Sequence, residues 1–316
     1  MVTASDVQST LLQTGTQRTV FLDNAATKSA GDILAIDKAA VHISGALLAG
    51  AKAGSGGGSI QLESESIMRI VNTSIQGARA WLFGGCACVT DNATLWVTNS
   101  EPCQAAGQAQ TVVVYIIADI THTARLALTN STISQNTAGW GTARDHGSVS
   151  GGGIAAKNAS TIQLAGVAIH SNTAFREGGG VGVYENASLV VGRTKTHVYH
   201  NKAGTLGGGL RLLSANFDPA QLTGLVMVYS NSAHYSGNIV ISATSTTVVD
   251  RGGADSVIAS DSKDTTLVLT LSVSGPHGWP SEEFIWVSLS TFGNEVLGTL
   301  QPTQPQVPVL ACAGFH

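Results

Sequence analysis

Charge is what this chain most lacks. Asp, Glu, Lys and Arg make up 11% of its 316 residues, for a formal net charge of −4, where soluble domains carry about 25% charged residues. Its 16 Lys and Arg form no cluster, so the basic track that nucleic-acid binding needs is missing. No run of 18 or more apolar residues occurs, so no transmembrane helix is expected. Residues 1–18 are polar, rich in Gln and Thr, and have no apolar core of a signal peptide. We therefore expect an internal piece of a longer secreted polypeptide, located outside the cell or at its surface. Helical apolar spacing is sustained nowhere in the clearest part of the chain, which argues against amphipathic helices.

Glycine, by contrast, is abundant, with 37 residues, and it recurs in phrase. Gly151-Gly152-Gly153-Ile154 leads to Asn172-Thr173-Ala174, Gly178-Gly179-Gly180-Val181 to Asn201-Lys202-Ala203, and Gly207-Gly208-Gly209-Leu210 to Asn231-Ser232-Ala233. In each copy a Gly follows the Asn by six positions: Gly178, Gly207, Gly237. A fixed period of 27 to 30 residues is the mark of a stacked repeat.

Within a period the apolar residues alternate in short runs: Ile154 and Ala156, Ile162 and Leu164, Val167 and Ile169. The next copies repeat this with Val181, Val183, Leu189, Val191 and Val198, then Leu210, Leu212, Val226 and Val228. Residues two apart share one strand face, so each period reads as three short strands with an apolar inner side. The expected fold is all-β: a right-handed parallel β-helix whose coils bury their inner faces only by stacking. Gly and Asn are expected at the corners, where the backbone takes positive φ. Asn136, Asn172, Asn201 and Asn231 are expected to form a hydrogen-bonded structural ladder along one edge.

The repeat extends in weaker form toward the N-terminus. Ile33 to Gly45 overlays Ile154 to Gly166 without a gap, and Ala51-x-Ala53 and Ala78-x-Ala80 take the Asn-x-Ala place. An insertion of about nine residues is expected within 140–150. The expected division is a cap and first partial coil over 1–30, about eight coils of the helix over 31–250, a linker or last loose coil over 251–266, and a segment resembling an incomplete immunoglobulin-like β-sandwich over 267–316.

The motif pair resembles the repeats of the chlamydial polymorphic outer membrane proteins, whose motifs are Gly-Gly-Ala-Ile and Phe-x-x-Asn. The counterparts here are Gly152-Gly153-Ile154, Gly179-Gly180-Val181 and Gly208-Gly209-Leu210, with Ile133-x-x-Asn136, Ile169-x-x-Asn172, Val198-x-x-Asn201 and Val228-x-x-Asn231. A β-branched residue replaces Phe throughout. The resemblance implies a surface-exposed β-helix, often adhesive, whose partners would be glycans or cell-surface and matrix proteins.

Parallel β-helices also host polysaccharide lyases and glycoside hydrolases, the competing function. Arg193-Thr194-Lys195 resembles the Arg-x-Lys of polygalacturonases, but their Asn-x-Asp, Asp-Asp and Gly-His-Gly elements are missing. Two close carboxylates are what glycoside hydrolysis requires, and Glu63/Glu65 and Glu282/Glu283 are the main acidic pairs. The catalytic candidates are Asp145, His146, Arg193 and Lys195, and Trp140, Arg144, Asp145 and His146 form a candidate binding loop in the insertion, where solenoids collect binding residues. Cys86, Cys88 and Cys103 are disulfide candidates; their spacing suits zinc poorly. His170, His200 and His234 stand at different offsets from their corner residues. Neither a metal nor a cofactor is expected.

Overall fold

The computed structural model describes residues 2–4, 19–104 apart from 55 and 81–83, 114–117, 123–138, 151–243 apart from 214, 219–224 and 235–236, and the strands 257–260, 285–292 and 295–302. The chain winds as a parallel β-helix. Its longest sheet stacks Val2–Ala4, Ile33–Ala35, Ile60–Leu62, Ala87–Thr90, Val114–Ile117, Ile154–Lys157, Val181–Tyr184, Leu210–Leu213, Ile239–Ala243 and Val257–Ser260 in parallel. A second sheet holds seven parallel strands, from Ala40–Ser44 to Asn216–Phe217. A third face carries Val20–Leu22, Leu47–Ala49, Ser74–Gln76 and Glu101–Gln104 as one sheet, and Thr132–Ser134, Ala168–His170, Thr196–Tyr199 and Val226–Tyr229 as another.

Alternation decides which side of each strand is buried. In the second sheet Val41, Met68, Leu95, Leu126, Ile162 and Leu189 stack in register as one inner column. Ile43, Ile70, Val97, Leu128, Leu164 and Val191 form the next, and all twelve are buried. On the third face Ile133, Ile169, Val198 and Val228 do the same. Of the expected interior residues, Val226 is only partly buried; among the described residues it lies in the last strand of its sheet.

Each full turn has a fourth strand that the alternation could not show, because it is two residues long. Ala25–Ala26, Lys52–Ala53 and Arg79–Ala80 form one such column, and Thr137–Ala138, Thr173–Ala174 and Lys202–Ala203 another. The turns at 87–104 and 210–229 show no such strand among the described residues. The helix amounts to about six turns, slightly fewer than the eight expected. The pairings Ile33↔Ile60, Ile60↔Ala87 and Ala87↔Val114 step by 27 residues. Ala53, Ala80, Ala174 and Ala203 each stand seven residues before the next strand of the long sheet, whereas Ala138 stands sixteen before Ile154. The register thus brackets nine extra residues between them.

The corners bend at left-handed residues. Asn72, Asn99 and Asn130 take φ of 49°, 48° and 46° between the second sheet and the third face. The corner asparagines behave differently from the expectation. The positive φ belongs to the residue before each one, Gln135, Ser171, His200 and Ser230, at 53° to 58°. That residue makes the bend, and Asn136, Asn172, Asn201 and Asn231 turn their side chains inward, where all four are buried.

Buried there, their amides link turn to turn. Asn136 Nδ2 donates to Asn172 Oδ1 at 2.7 Å, Asn172 to Asn201 at 2.9 Å, Asn201 to Asn231 at 3.0 Å, and Asn231 to Asn238 at 3.1 Å. Backbone N–H groups of Asn136, Asn172, Asn201 and Asn231 donate to the same oxygens. The polar groups of the corner are thereby satisfied. A second ladder serves the other half of the helix at the opposite corner of the third face. Thr73 N donates to Ser100 Oγ at 3.1 Å and Ser100 N to Ser131 Oγ at 3.3 Å, while each hydroxyl donates to a carbonyl two residues back. The two ladders overlap: Ser131 and Asn136 share a turn, and farther along Val167 N donates to Thr196 Oγ1 at 3.5 Å at the same corner as Ser131.

At the C-terminal end, Val257–Ser260 pairs in parallel with Ile239–Ala243. Ile285–Phe292 and Glu295–Pro302 then form an antiparallel hairpin joined to that strand. In the stretch expected as an incomplete sandwich, the two described strands therefore extend the long sheet. Among the described residues no helix is long and apolar enough to cross a membrane.

Candidate binding faces

The outer side of the third face carries a run of aromatic and imidazole side chains. Ser134, His170, Tyr199 and Tyr229 stand in register in one column, and Thr132, Ala168, His197 and Met227 in the next. In-register side chains on neighbouring parallel strands are about 4.8 Å apart, which is a stacking distance. Tyr199 and Tyr229 stack at 5.3 Å with 2° between ring planes, and His170 stacks on Tyr199 at 4.9 Å and 20°. His197 meets Tyr229 edge-on at 6.3 Å, and His200 meets Tyr199 edge-on at 5.3 Å. Tyr229 and Met227 are 40% and 44% exposed.

Stacking occupies the ring faces, so the strip offers ring edges and phenol hydroxyls along a straight line. Such a surface is apolar in body and polar at its tips, and it loses little side-chain entropy on contact. Partial burial, with a smaller push from His200, holds the His170 imidazole below its usual range. The strip is therefore uncharged at His170 in neutral solution.

The sequence signal for this strip was present. His170, Tyr199 and Tyr229 all stand two residues before a ladder asparagine. Comparing histidines only with one another, as His170, His200 and His234, concealed a column in which one histidine continues as two tyrosines.

Arg193 and Lys195 fall in the turn between Ser188–Val191 and Thr196–Tyr199, exposed at the ridge joining the second and third faces. They lie on no strand face, and among the described residues neither has an ion pair or a hydrogen-bonding partner. Trp140, Arg144, Asp145 and His146 lie outside the described residues. Of the acidic pairs, Glu63 accepts a hydrogen bond from Gln61 and Glu65 forms an exposed ion pair with Lys38 at 3.7 Å, while Glu282 and Glu283 lie outside the described residues. Among the described residues no group of three or more His, Cys, Asp or Glu could hold a metal ion.

The cysteines divide by position. Cys86 is disulfide-bonded, at the position that Asp32 and Ser59 occupy in the preceding turns. The side chain of Cys103 lies outside what the structure describes. Cys88 is not a disulfide partner; it is a free thiol, buried in register with Gln61. Burial first, then the carboxylates of Glu63 and Asp91, push its pKa up to about 12. On the same sheet the buried Arg211 is paired: its Nε meets Glu177 Oε2 at 3.2 Å.

No family model, curated protein or solved structure matches this chain.

Proposed function

We propose that this chain is a non-enzymatic β-helix protein of the cell surface or extracellular space, adhesive or structural, which engages glycans or surface and matrix proteins through its third face. The stack of His170, Tyr199 and Tyr229 carries this reading. A parallel β-helix fixes the pitch of every outward column, so aromatic side chains on successive turns form a preorganised strip rather than scattered contacts. The likeness of the Gly-Gly-aliphatic and aliphatic-x-x-Asn motifs to polymorphic outer membrane protein repeats supports the same reading.

Binding to glycan arrays and to cell surfaces tests it, with Tyr199→Ala and Tyr229→Ala as the variants. Loss of binding in both, with unchanged thermal unfolding, is expected. The competing enzyme reading is tested on polygalacturonate and alginate, with and without calcium. New reducing ends or unsaturated products, abolished by Arg193→Ala or His146→Ala, would overturn the proposal.

A further inference from the structure

The second sheet exposes a different surface, one turn after another, in the column His42, Arg69, Trp96, Ala127 and Gln163. The Arg69 guanidinium lies over the Trp96 ring, 4.9 Å from its centroid. Such a stack covers one face of the indole and orients it across the sheet. On the other side the in-register residue is Ala127, a single methyl. Beyond it stands the exposed amide of Gln163. The neighbouring outer column places Thr94 beside Trp96 and Arg125 beside Ala127. The indole therefore faces a shallow place floored by a methyl and edged by an arginine, a threonine and an amide.

We propose that this place binds one ring of an acidic polysaccharide, stacked on the Ala127 side of Trp96. The C–H face of a pyranose carries partial positive charge and suits the negative face of an indole. The hydroxyl-lined edge of the sugar would meet Gln163 and Thr94. The acidic group is argued from the cations. Arg69 and Arg125 are both exposed, and among the described residues neither has an ion pair. The carboxylates at the adjoining corner are engaged elsewhere: Glu65 pairs with Lys38, and Asp91 accepts from Ser64 N and Thr90 Oγ1. Arg69 and Arg125 lie one strand to either side of Trp96 and two residues apart in register, about 12 Å from backbone to backbone. Arg125, on the ring's side of the indole, presents a planar fork suited to carboxylate or sulfate, while Arg69 backs the indole and adds positive charge from behind.

The site lies on a different face from the aromatic strip and goes beyond the adhesive reading. The experiment measures binding of labelled heparin, hyaluronan, neutral dextran and oligo-thymidylate to the whole chain, with circular dichroism and thermal unfolding as fold controls. Heparin or hyaluronan is expected to bind, and dextran not. The better of the two distinguishes sulfate from carboxylate recognition. Trp96→Ala and Arg125→Gln are each expected to weaken binding roughly tenfold, Trp96→Phe less, and Tyr199→Ala not at all. Absence of binding to both acidic polymers overturns the proposal, as does full-strength binding by Trp96→Ala. Tighter binding of oligo-thymidylate than of either polysaccharide assigns the indole to a nucleobase and overturns it too. Loss of the third-face activity in Tyr199→Ala alone leaves this site standing.

Discussion

Gly180 lies against Asn201 of its own turn: a Cβ at Gly180 would stand 3.0 Å from Asn201 Nδ2 and 2.8 Å from Val198 Cγ1. The same holds in the turn that follows, where a Cβ at Gly209 would come within 2.6 Å of Asn231 Nδ2. Where the corner is Ala51 or Ala78, the equivalent positions carry the buried side chains of Asp32 and Ser59. One volume inside the corner is filled either from the ladder or from the residue opposite. Glycine and asparagine recur together because each makes the other possible.

Gly180→Ala and Asn201→Ala should each destabilise the protein by about 1–3 kcal/mol, the first by overpacking and the second by leaving buried groups unpaired. In the double variant the Nδ2 clash is gone, so its cost should fall below the sum of the two. Relief is partial, since a Cβ at Gly180 would also stand 2.6 Å from the Gly209 carbonyl oxygen. A urea-unfolding cycle measures the coupling. Strict additivity would show that the two positions do not share one space.

Leu164 sits between Leu128 and Val191 in an inner column, while its neighbour Gln163 points outward and is exposed. Leu164→Ala should cost about 2–5 kcal/mol through the cavity it leaves. Gln163→Ala should stay within about 0.5 kcal/mol of the parent. Equal losses at both sites would mean that the strand does not alternate as described.

The inner columns were legible because every second residue of Thr161–Ala165 or Ser188–Val191 is apolar, and only a strand buries residues at that spacing. Asn172, Asn201 and Asn231 were legible for a related reason: a residue fixed against the Gly triplet recurs on one edge. The bend itself was misplaced by one residue, since Ser171 and His200 have side chains that do not advertise positive φ. The ladder of Thr73, Ser100 and Ser131 was missed because hydroxyl residues are common on every outer face of this chain. The surface columns were hardest to read. Trp96 over Arg69, or Tyr199 between His170 and Tyr229, gains meaning only once the register places residues some 27 to 36 positions apart on adjacent strands.

Asp32 is buried and accepts hydrogen bonds from Asn24 Nδ2, at 2.8 Å, and from Ser59 Oγ. Burial outweighs these donors and raises its pKa above the ordinary value of 3.8. The folded chain therefore holds this proton more tightly than the unfolded chain. That contribution is fully present below pH 3.8 and is lost as pH rises through the folded value. Asp32→Asn removes the titration and keeps a hydrogen-bonding group in place. Urea midpoints measured from pH 3 to pH 7 should show the variant gaining on the parent as pH rises, then levelling. A parent that gains on the variant over that range would reverse the sign of the argument.

Cys88 carries the most suppressed reactivity in the described chain. Its thiol is 3% exposed and has a pKa of about 12, set by burial and then by Glu63 and Asp91. Only the thiolate attacks an alkylating reagent. At pH 8 the folded protein should hold roughly one thiolate per ten thousand Cys88 side chains, against about a quarter in the unfolded chain. Iodoacetamide at pH 8 should therefore leave Cys88 unmodified in the native protein and label it quickly in urea, as peptide mass spectrometry would record. Labelling should track the fraction unfolded across a urea series, so Leu164→Ala should shift the curve to lower urea. Rapid labelling of the native protein would mean that the sheet opens at Cys88 without global unfolding.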